Sequence, residues 1–340
     1  MQICSSKLTH RRMIKFIWEF HVAFENKFKH MNRVLYILSI ALLLGACEKD
    51  IEIDLNRQSD KLVMYAFVYP DSALDLHFSK SQSILSVEDY EQVEKGRFQL
   101  FINDNFQGAY ILPADTIWSN WKEFTFKASD SFRINAYELN GDTVMAESYI
   151  PEKVPIISLD TLSVDQSIAE LQVSPMLRTK FQFQDPIGQS NYYQALVVRE
   201  GWGEKAGEPY YTNEVVIYEK DDPIFSQGEQ SGSLLPGLDF QGLFTDEKID
   251  GLIYTLGIDI PKDHLFFDYY EDKIKITVYL YHHTDDYYDY FRSTILAAGY
   301  EGIYDGLPVF EPVKIHSNVS QGLGVVSGIN FDSGSLVFVK

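Results

Sequence analysis

Period-two alternation governs this chain from Lys61 onward, and it confines the fold to sheets. In KLVMYAFVYP, Leu62, Met64, Ala66 and Val68 fall on one face of an extended segment, because successive strand side chains point to opposite sides. Similar runs follow at ALDLHFS, RFQLFIND, EFTFKA, FRINAYE and TVMAESYI. Turn residues separate them at Asn103-Asp104-Asn105, Gln107-Gly108 and Asn140-Gly141-Asp142, whose Asn-Gly pair is a hairpin signal. About seven short strands without helical periodicity predict an immunoglobulin/transthyretin-like β-sandwich over residues 61–150. The Cys…Trp…Cys spacing of an antibody-type domain is missing.

Two prolines interrupt the alternation within Pro151-Glu152-Lys153-Val154-Pro155. Proline cannot donate to a central ladder, so a linker is expected at 151–155. Strand patterns resume at LRTKFQFQD, NYYQALVVRE, YYTNEVVIYE, GLIYTLGIDI and KIKITVYLYHH, with a turn at Asp185-Pro186-Ile187-Gly188 and a loop expected at Gly201–Gly207. A helix is expected near 285–298. Asp285 and Asp286 suit its first turn, and Tyr287, Tyr290, Phe291, Thr294, Ile295 and Ala298 form an apolar stripe that Gly299 would cap. The fold expected is therefore mostly β: an N-terminal sandwich, then a second antiparallel β domain over 156–340 carrying one amphipathic helix.

The amino terminus carries an address. From Met31, MNRVLYILSIALLLGAC opens with Arg33, continues as an apolar run from Val34 to Leu44 broken only by Ser39, and ends in Gly45, Ala46 and Cys47. This is the pattern of a secretory signal, and the run is shorter than the roughly 20 residues a transmembrane helix needs. Leu44-Gly45-Ala46-Cys47 resembles the bacterial lipobox, which predicts a signal peptide over 31–46, lipidation of Cys47, and a tether over 47–60. Residues 1–30 are expected to be an upstream extension from a misplaced start. The charged residues Glu48, Lys49 and Asp50 directly after the cysteine resemble the surface-export signal of Bacteroidetes lipoproteins.

Charge and cysteine content narrow the class. The chain holds 29 Lys and Arg against 49 Asp and Glu, and without residues 1–46 it keeps 22 basic and 47 acidic residues, a net charge near −25. Such a field repels nucleic acid and anionic lipid, so no nucleic-acid partner is expected and membrane attachment must come from a lipid. Cys4 and Cys47 are the two cysteines. Processing at Cys47 would leave no thiol for metal, disulfide or nucleophilic chemistry.

No catalytic constellation emerges. His282 and His283 beside Asp285 and Asp286 look metal-like, but adjacent strand residues face opposite ways and the spacing is not that of a helical zinc site. Asp71, Asp75 and His77 alternate with apolar neighbours as a solvated strand face does, and Lys220-Asp221-Asp222-Pro223 lacks the glycine and terminal glutamate of a calcium loop. Ser231-Gly232-Ser233 has no nucleophile elbow, and Gly322-Leu323-Gly324 lacks the lysine and helix of a phosphate loop. Aromatic residues stand out instead. Trp118 and Trp121, expected in a loop between strands, are candidate contact residues, and the pairs Tyr192-Tyr193, Tyr210-Tyr211, Tyr269-Tyr270 and Tyr287-Tyr288 add rings of which one in each strand pair must leave the core. No catalytic, metal or cofactor residue is assigned, and no cofactor is expected.

Taken in order, several segments resemble one family over the chain from Cys47 to Lys340. They are the lipobox cysteine and acidic tether, KLVMYAFVYPDSALDLHFSKSQ, YIPEKVPI, FQDPIGQSNYYQALV, the Tyr-rich helix after YLYHHTDDYYDYF, and PVKIHSNVSQGLGVVSGIN. The chain is similar to Bacteroidetes lipoproteins of domain-of-unknown-function family 4249, though LGVVSGINFD stands where aromatics are more usual. The resemblance implies a non-catalytic, lipid-anchored outer-membrane protein, an accessory or cargo-binding partner of a TonB-dependent transporter; the charged residues after Cys47 point to display at the cell surface, with simple solvation of the tether as the alternative and a periplasmic orientation left open. A surface hydrolase acting on glycans or peptides and a structural or adhesive surface protein are the alternatives.

Overall fold

Leu62, Met64, Ala66 and Val68 are buried, while Val63, Tyr65 and Phe67 between them are half-buried, so the alternation builds strand β1 (Leu62–Val68). The structure is a computed structural model that describes residues 61–82, 93, 96–113, 118–138, 141–168, 172–225, 238–303 and 313–340. The lipobox, the tether and Ser231-Gly232-Ser233 lie outside the described residues. β2 (Leu74–Lys80) pairs antiparallel with β1. β3 (Arg97–Ile102) and β4 (Asn105–Ile111) form a hairpin whose turn residues Asn103 and Asp104 have φ of 50° and 60°, the left-handed geometry that Asn and Asp tolerate best. β5 (Trp118–Trp121), β6 (Ser131–Tyr137) and β7 (Thr143–Tyr149) complete the first half.

Two local expectations change here. EFTFKA is not a strand: Phe124 and Phe126 are buried, but residues 123–128 form turns and irregular backbone. Gln107-Gly108 lies inside β4 rather than in a turn, beside a register shift at Leu100/Phe101.

The second half contributes β8 (Ile156–Ile168), β9 (Gln172–Gln184), β10 (Tyr192–Lys205), β11 (Glu208–Val215), β12 (Leu243–Thr245) and β13 (Ile253–Pro261). A 3-10 turn at Lys262–Leu265, β14 (Glu271–His283), helix α1 (Asp285–Ile303) and β15 (Val326–Val339) follow. Residues Gly201–Lys205, expected in a loop, continue β10, and the turn is at Ala206-Gly207. Gly201 is required because a Cβ there would overlap the Glu271 carboxylate, and Gly203 because one would overlap the Tyr270 carbonyl. The helix runs through Gly299 rather than ending there. Thr284 caps its start, accepting from the Tyr287 amide on its hydroxyl at 3.4 Å and from the Tyr288 amide on its carbonyl at 3.1 Å. No described helix is long and apolar enough to cross a membrane.

The described strands form three sheets, one mixed and two antiparallel. The large sheet runs β11-β10-β14-β15-β1-β2-β5, with β12 also on β10. A three-stranded sheet runs β13-β9-β8, and a four-stranded sheet β4-β3-β6-β7. β15 pairs antiparallel with β14 and parallel with β1, where Ala66 opposes Val326. The halves therefore have separate cores but share a sheet. In the first core, Met64, Leu76 and Val326 pack with Phe98, Leu100 and Ile134 of the four-stranded sheet. In the second, Ile276, Val278 and Val197 pack with Phe181, Phe183 and Ile258, and Leu336 and Phe338 join them. Val326, Leu336 and Phe338 share one side of β15 by parity, so both small sheets cover the same face of the large one.

The boundary segment is clamped rather than loose. Asp332 accepts from the Ile156 amide at 2.8 Å and from Lys153 at 3.0 Å, and Asn330 donates to the Pro151 carbonyl at 2.8 Å. Nδ1 of His282 lies 2.8 Å from the Glu152 carbonyl.

Helix α1 lies on the opposite face of the large sheet. Its Tyr287 ring stacks on His283 at 4.2 Å and meets Phe67 edge-on at 5.6 Å. The two histidines point to opposite faces, His282 stacking on Tyr193 at 5.1 Å within the second core. Burial lowers the pKa of both, His283 to about 3. Both imidazoles are therefore neutral in the fold and charge in the unfolded chain. Their contribution to stability is present above the unfolded pKa near 6.5 and is lost as pH falls below it, for His283 toward 3. The urea midpoint is expected to be lower at pH 5 than at pH 7.5, and the drop is expected to be smaller in His283→Phe.

Candidate functional site

Three strands of the large sheet carry one aromatic row on the helix side. Tyr65 of β1 lies directly opposite His77 of β2, and His77 directly opposite Trp118 of β5. Cross-strand neighbours in a sheet stand close enough for rings to touch. The Tyr65 and His77 centroids are 5.6 Å apart, and those of His77 and Trp118 5.0 Å. Tyr290 of α1 extends the row, 5.9 Å from Tyr65. The row lines a groove of about 580 Å³ whose apolar walls include Val63, Phe67 and Leu323, with Ser79, Lys80, Ser81 and Gln82 also lining it. That volume falls within the roughly 300–1,000 Å³ typical of small-molecule sites.

The electrostatics of the groove differ from those of the chain. Its described lining contains no carboxylate, although the chain as a whole is −20. The one formally charged residue of the described lining, Lys80, is bridged to Glu138 at 3.2 Å. Burial lowers the pKa of His77, which favours the neutral imidazole. One ring nitrogen, Nε2, meets the Ser79 hydroxyl at 2.9 Å, and the other, Nδ1, is buried without a hydrogen-bond partner. Burial, then the neighbouring and hydrogen-bonded Tyr65, pushes the Tyr290 phenol up to about 12, so it stays protonated with its hydroxyl engaged by Tyr65. The described wall is thus mainly aromatic, with its one lysine paired to Glu138 and the His77 ring nitrogens turned to Ser79 and the interior.

The expected contact tryptophans separate. Both sit on a short edge strand rather than in a loop. Trp118 is 48% exposed and belongs to the groove. Trp121 turns inward against Phe98 at 5.1 Å and Tyr110 at 5.4 Å, and packs on the first core. Their spacing of three explains this, because an odd step along a strand changes face. His77, read from sequence as part of a solvated face, is half-buried in the aromatic row, while Asp75 stays exposed and accepts from Asn120 at 2.5 Å. Cys47 lies outside the described residues.

Two polar clusters elsewhere are built into the scaffold. Carboxylate oxygens of Asp185, Asp246 and Asp250 lie within 4.8 Å of one another, but donors occupy them. Tyr193 reaches Asp185 at 2.6 Å, the Asn191 amide Asp246 at 2.8 Å, and the Gly188 amide Asp250 at 2.8 Å. Burial raises the pKa of Asp185 and Asp246. This cluster ties the turn after β9 to the turn before β13. In the SNVSQGLGVV segment, Asn318 donates to Asp286 of α1 at 2.9 Å and to the Val326 carbonyl at 2.8 Å, and Nε2 of His316 lies 2.7 Å from Asp286. These contacts fasten the helix start to β15.

The profile described as "Domain of unknown function (DUF4249)" matches residues 48–335. No curated protein matches the chain. Among solved structures, a two fibronectin type-III domain segment from chicken tenascin is similar at 8% identity, covering 83% of this chain and 100% of that one with a TM-score of 0.21. A β-glycosidase from Bacteroides vulgatus is similar at 11% identity over 65% of this chain and 23% of its own, with a TM-score of 0.17. At these TM-scores neither likeness bears on the fold or the groove.

Proposed function

Because this chain belongs to the DUF4249 family, which is defined without an assigned function, we propose a role from its site: a non-catalytic binding protein held at the outer membrane by a lipid on Cys47. In this reading it is an accessory or cargo-binding partner of a TonB-dependent transporter in a Bacteroidetes cell, displayed at the surface. The single observation that carries the binding part is the aromatic row Tyr290–Tyr65–His77–Trp118 along a groove free of described carboxylates. The cores do not need these rings, which lie on the other face of the sheet. The lipobox-like Leu44–Cys47 supports the anchor, and the acidic charge favours a lipid over a basic patch. An immunoglobulin- or transthyretin-type description of residues 61–150 belongs to the same reading, supported by the packing of β1 and β2 on the four-stranded sheet.

The hydrolase alternative has less support. Glycoside hydrolysis uses two carboxyl groups flanking the scissile bond, and the described groove lining offers none. Affinity purification from solubilised outer membrane tests the proposal. A TonB-dependent transporter is expected among the co-purifying proteins, and its absence under conditions that preserve other membrane complexes would overturn the accessory role.

A further inference from the structure

We infer that strand β8 pairs antiparallel with the β8 of a second copy of this chain, joining two three-stranded sheets into one of six strands. A strand edge presents a row of unpaired amides and carbonyls, and proteins blunt such edges with short strands, prolines, bulges or covering segments. The other described edges are blunted in these ways. β5 is four residues long, β11 carries Pro209 at its second position, and β4 meets a register shift in its pairing with β3. β7 is bridged to Ser320 through Met145, and β13 to Glu219 through Asp259.

Beyond its first residues β8 has none of these protections. It runs for 13 residues without proline, lysine or arginine, and its register shift lies at Ile156/Ser158. β9 takes one edge, and no described strand takes the other. The Ile156 amide is held by Asp332 at 2.8 Å, so the open run begins at Ile157. Ile157 and Leu162 are 54% and 60% exposed, which leaves aliphatic surface beside that edge.

The residues of β8 select its own copy as the occupant. Leu162 is the midpoint of Ile156–Ile168, so the fullest antiparallel overlap places Leu162 opposite the same residue of the second copy. In that register Asp160 stands opposite Val164, Asp165 opposite Leu159, and Thr161 opposite Ser163. Like charges directly opposite would destabilise the pair, and none meet; Thr–Ser pairs across strands are favourable. A shift of one residue in one direction would set Asp160 against Asp165. The same edge is used on both copies, so the pairing closes at a dimer.

Light scattering and cysteine cross-linking test this on the detergent-solubilised full-length chain carrying Cys4→Ser and Cys47→Ser, which leaves no native thiol. The mass is expected to be that of a dimer. Leu162→Lys, which sets two like charges against each other at the two-fold axis, is expected to give a monomer with unchanged circular dichroism. Residues directly opposite in an antiparallel pair have Cα atoms about 4.5–5.5 Å apart, within disulfide range, so Leu162→Cys is expected to cross-link under mild oxidation. Asp160→Cys would lie about 14 Å from its equivalent in the second copy, and at least about tenfold less cross-linking is expected there. A monomeric parent chain, a Leu162→Lys variant that stays dimeric, or equal cross-linking at the two positions would overturn the inference. In a monomer, slow amide exchange along β8 would assign the edge to another segment of the same chain, and fast exchange would leave it open; either result excludes the second copy.

Discussion

Arg199→Met is expected to lower the unfolding free energy by about 3–5 kcal/mol, the cost of leaving one member of a buried ion pair alone. The Arg199 and Glu271 side chains are 7% and 0% exposed, and they meet through two parallel bonds at 2.9 and 2.5 Å. Arg199 also donates to the carbonyls of His264 at 2.8 Å and Phe266 at 3.1 Å, while Thr212 and the Asp268 amide donate to Glu271 at 2.6 and 2.8 Å. The network thus joins β10, β11, β14 and the turn before β14. The arginine bond is the main reason the Glu271 carboxyl lies at about 2. Its stabilising contribution is present above the unfolded carboxyl pKa near 4.3 and is lost as pH falls toward 2. The deficit of Arg199→Met should therefore be largest at neutral pH and shrink on acidification. Urea unfolding at pH 7 and pH 3.5 measures both, and the double variant Arg199→Met/Glu271→Met should recover most of the loss.

Gly328→Val is expected to destabilise both halves together. Gly328 sits in β15 where that strand passes the end of β7, and a Cβ there would overlap the Tyr149 carbonyl and crowd the Ile150 Cα. Backbone cannot move aside as a side-chain tip can, so the cost should lie at or above the upper end of the roughly 1–3 kcal/mol of overpacking. The same strand carries Val326 into the first core and lies beside Leu336 and Phe338 of the second. Near-UV circular dichroism, following the aromatics of both cores, should show one transition moved to lower temperature. Two separated transitions would mean that the halves unfold independently.

How much of this was legible in the sequence follows from the range of each interaction. The alternation of β1 and β2 and the Asn103-Asp104 turn are local, and the structure keeps them. EFTFKA also alternates, and its two phenylalanines are buried, but burial of Phe124 and Phe126 does not require a ladder partner. Gly201 and Gly203 resemble loop residues until Glu271 and Tyr270 are brought against them from β14 and its preceding turn, far along the chain. β15 was missed because Gly328, Asp332, Ser333, Gly334 and Ser335 break its hydrophobic pattern, and its partners are distant strands.

The candidate site was half legible. The odd spacing of Trp118 and Trp121 already separates them by face on a strand, and the alternation of β1 places Tyr65 outward. The alignment of Tyr65, His77 and Trp118 depends on the register of three strands, and Tyr290 joins only when the helix settles on the sheet. Cross-strand register is fixed by turn geometry and burial together, and single-chain periodicity does not contain it.

The proposed role stands or falls first on the anchor at Cys47, and the mass of the mature amino terminus tests that most directly. Protein extracted from its own outer membrane should begin at Cys47 and carry a diacylglycerol on the thiol. An intact chain from Met1, or a Cys47 free of lipid, would contradict it.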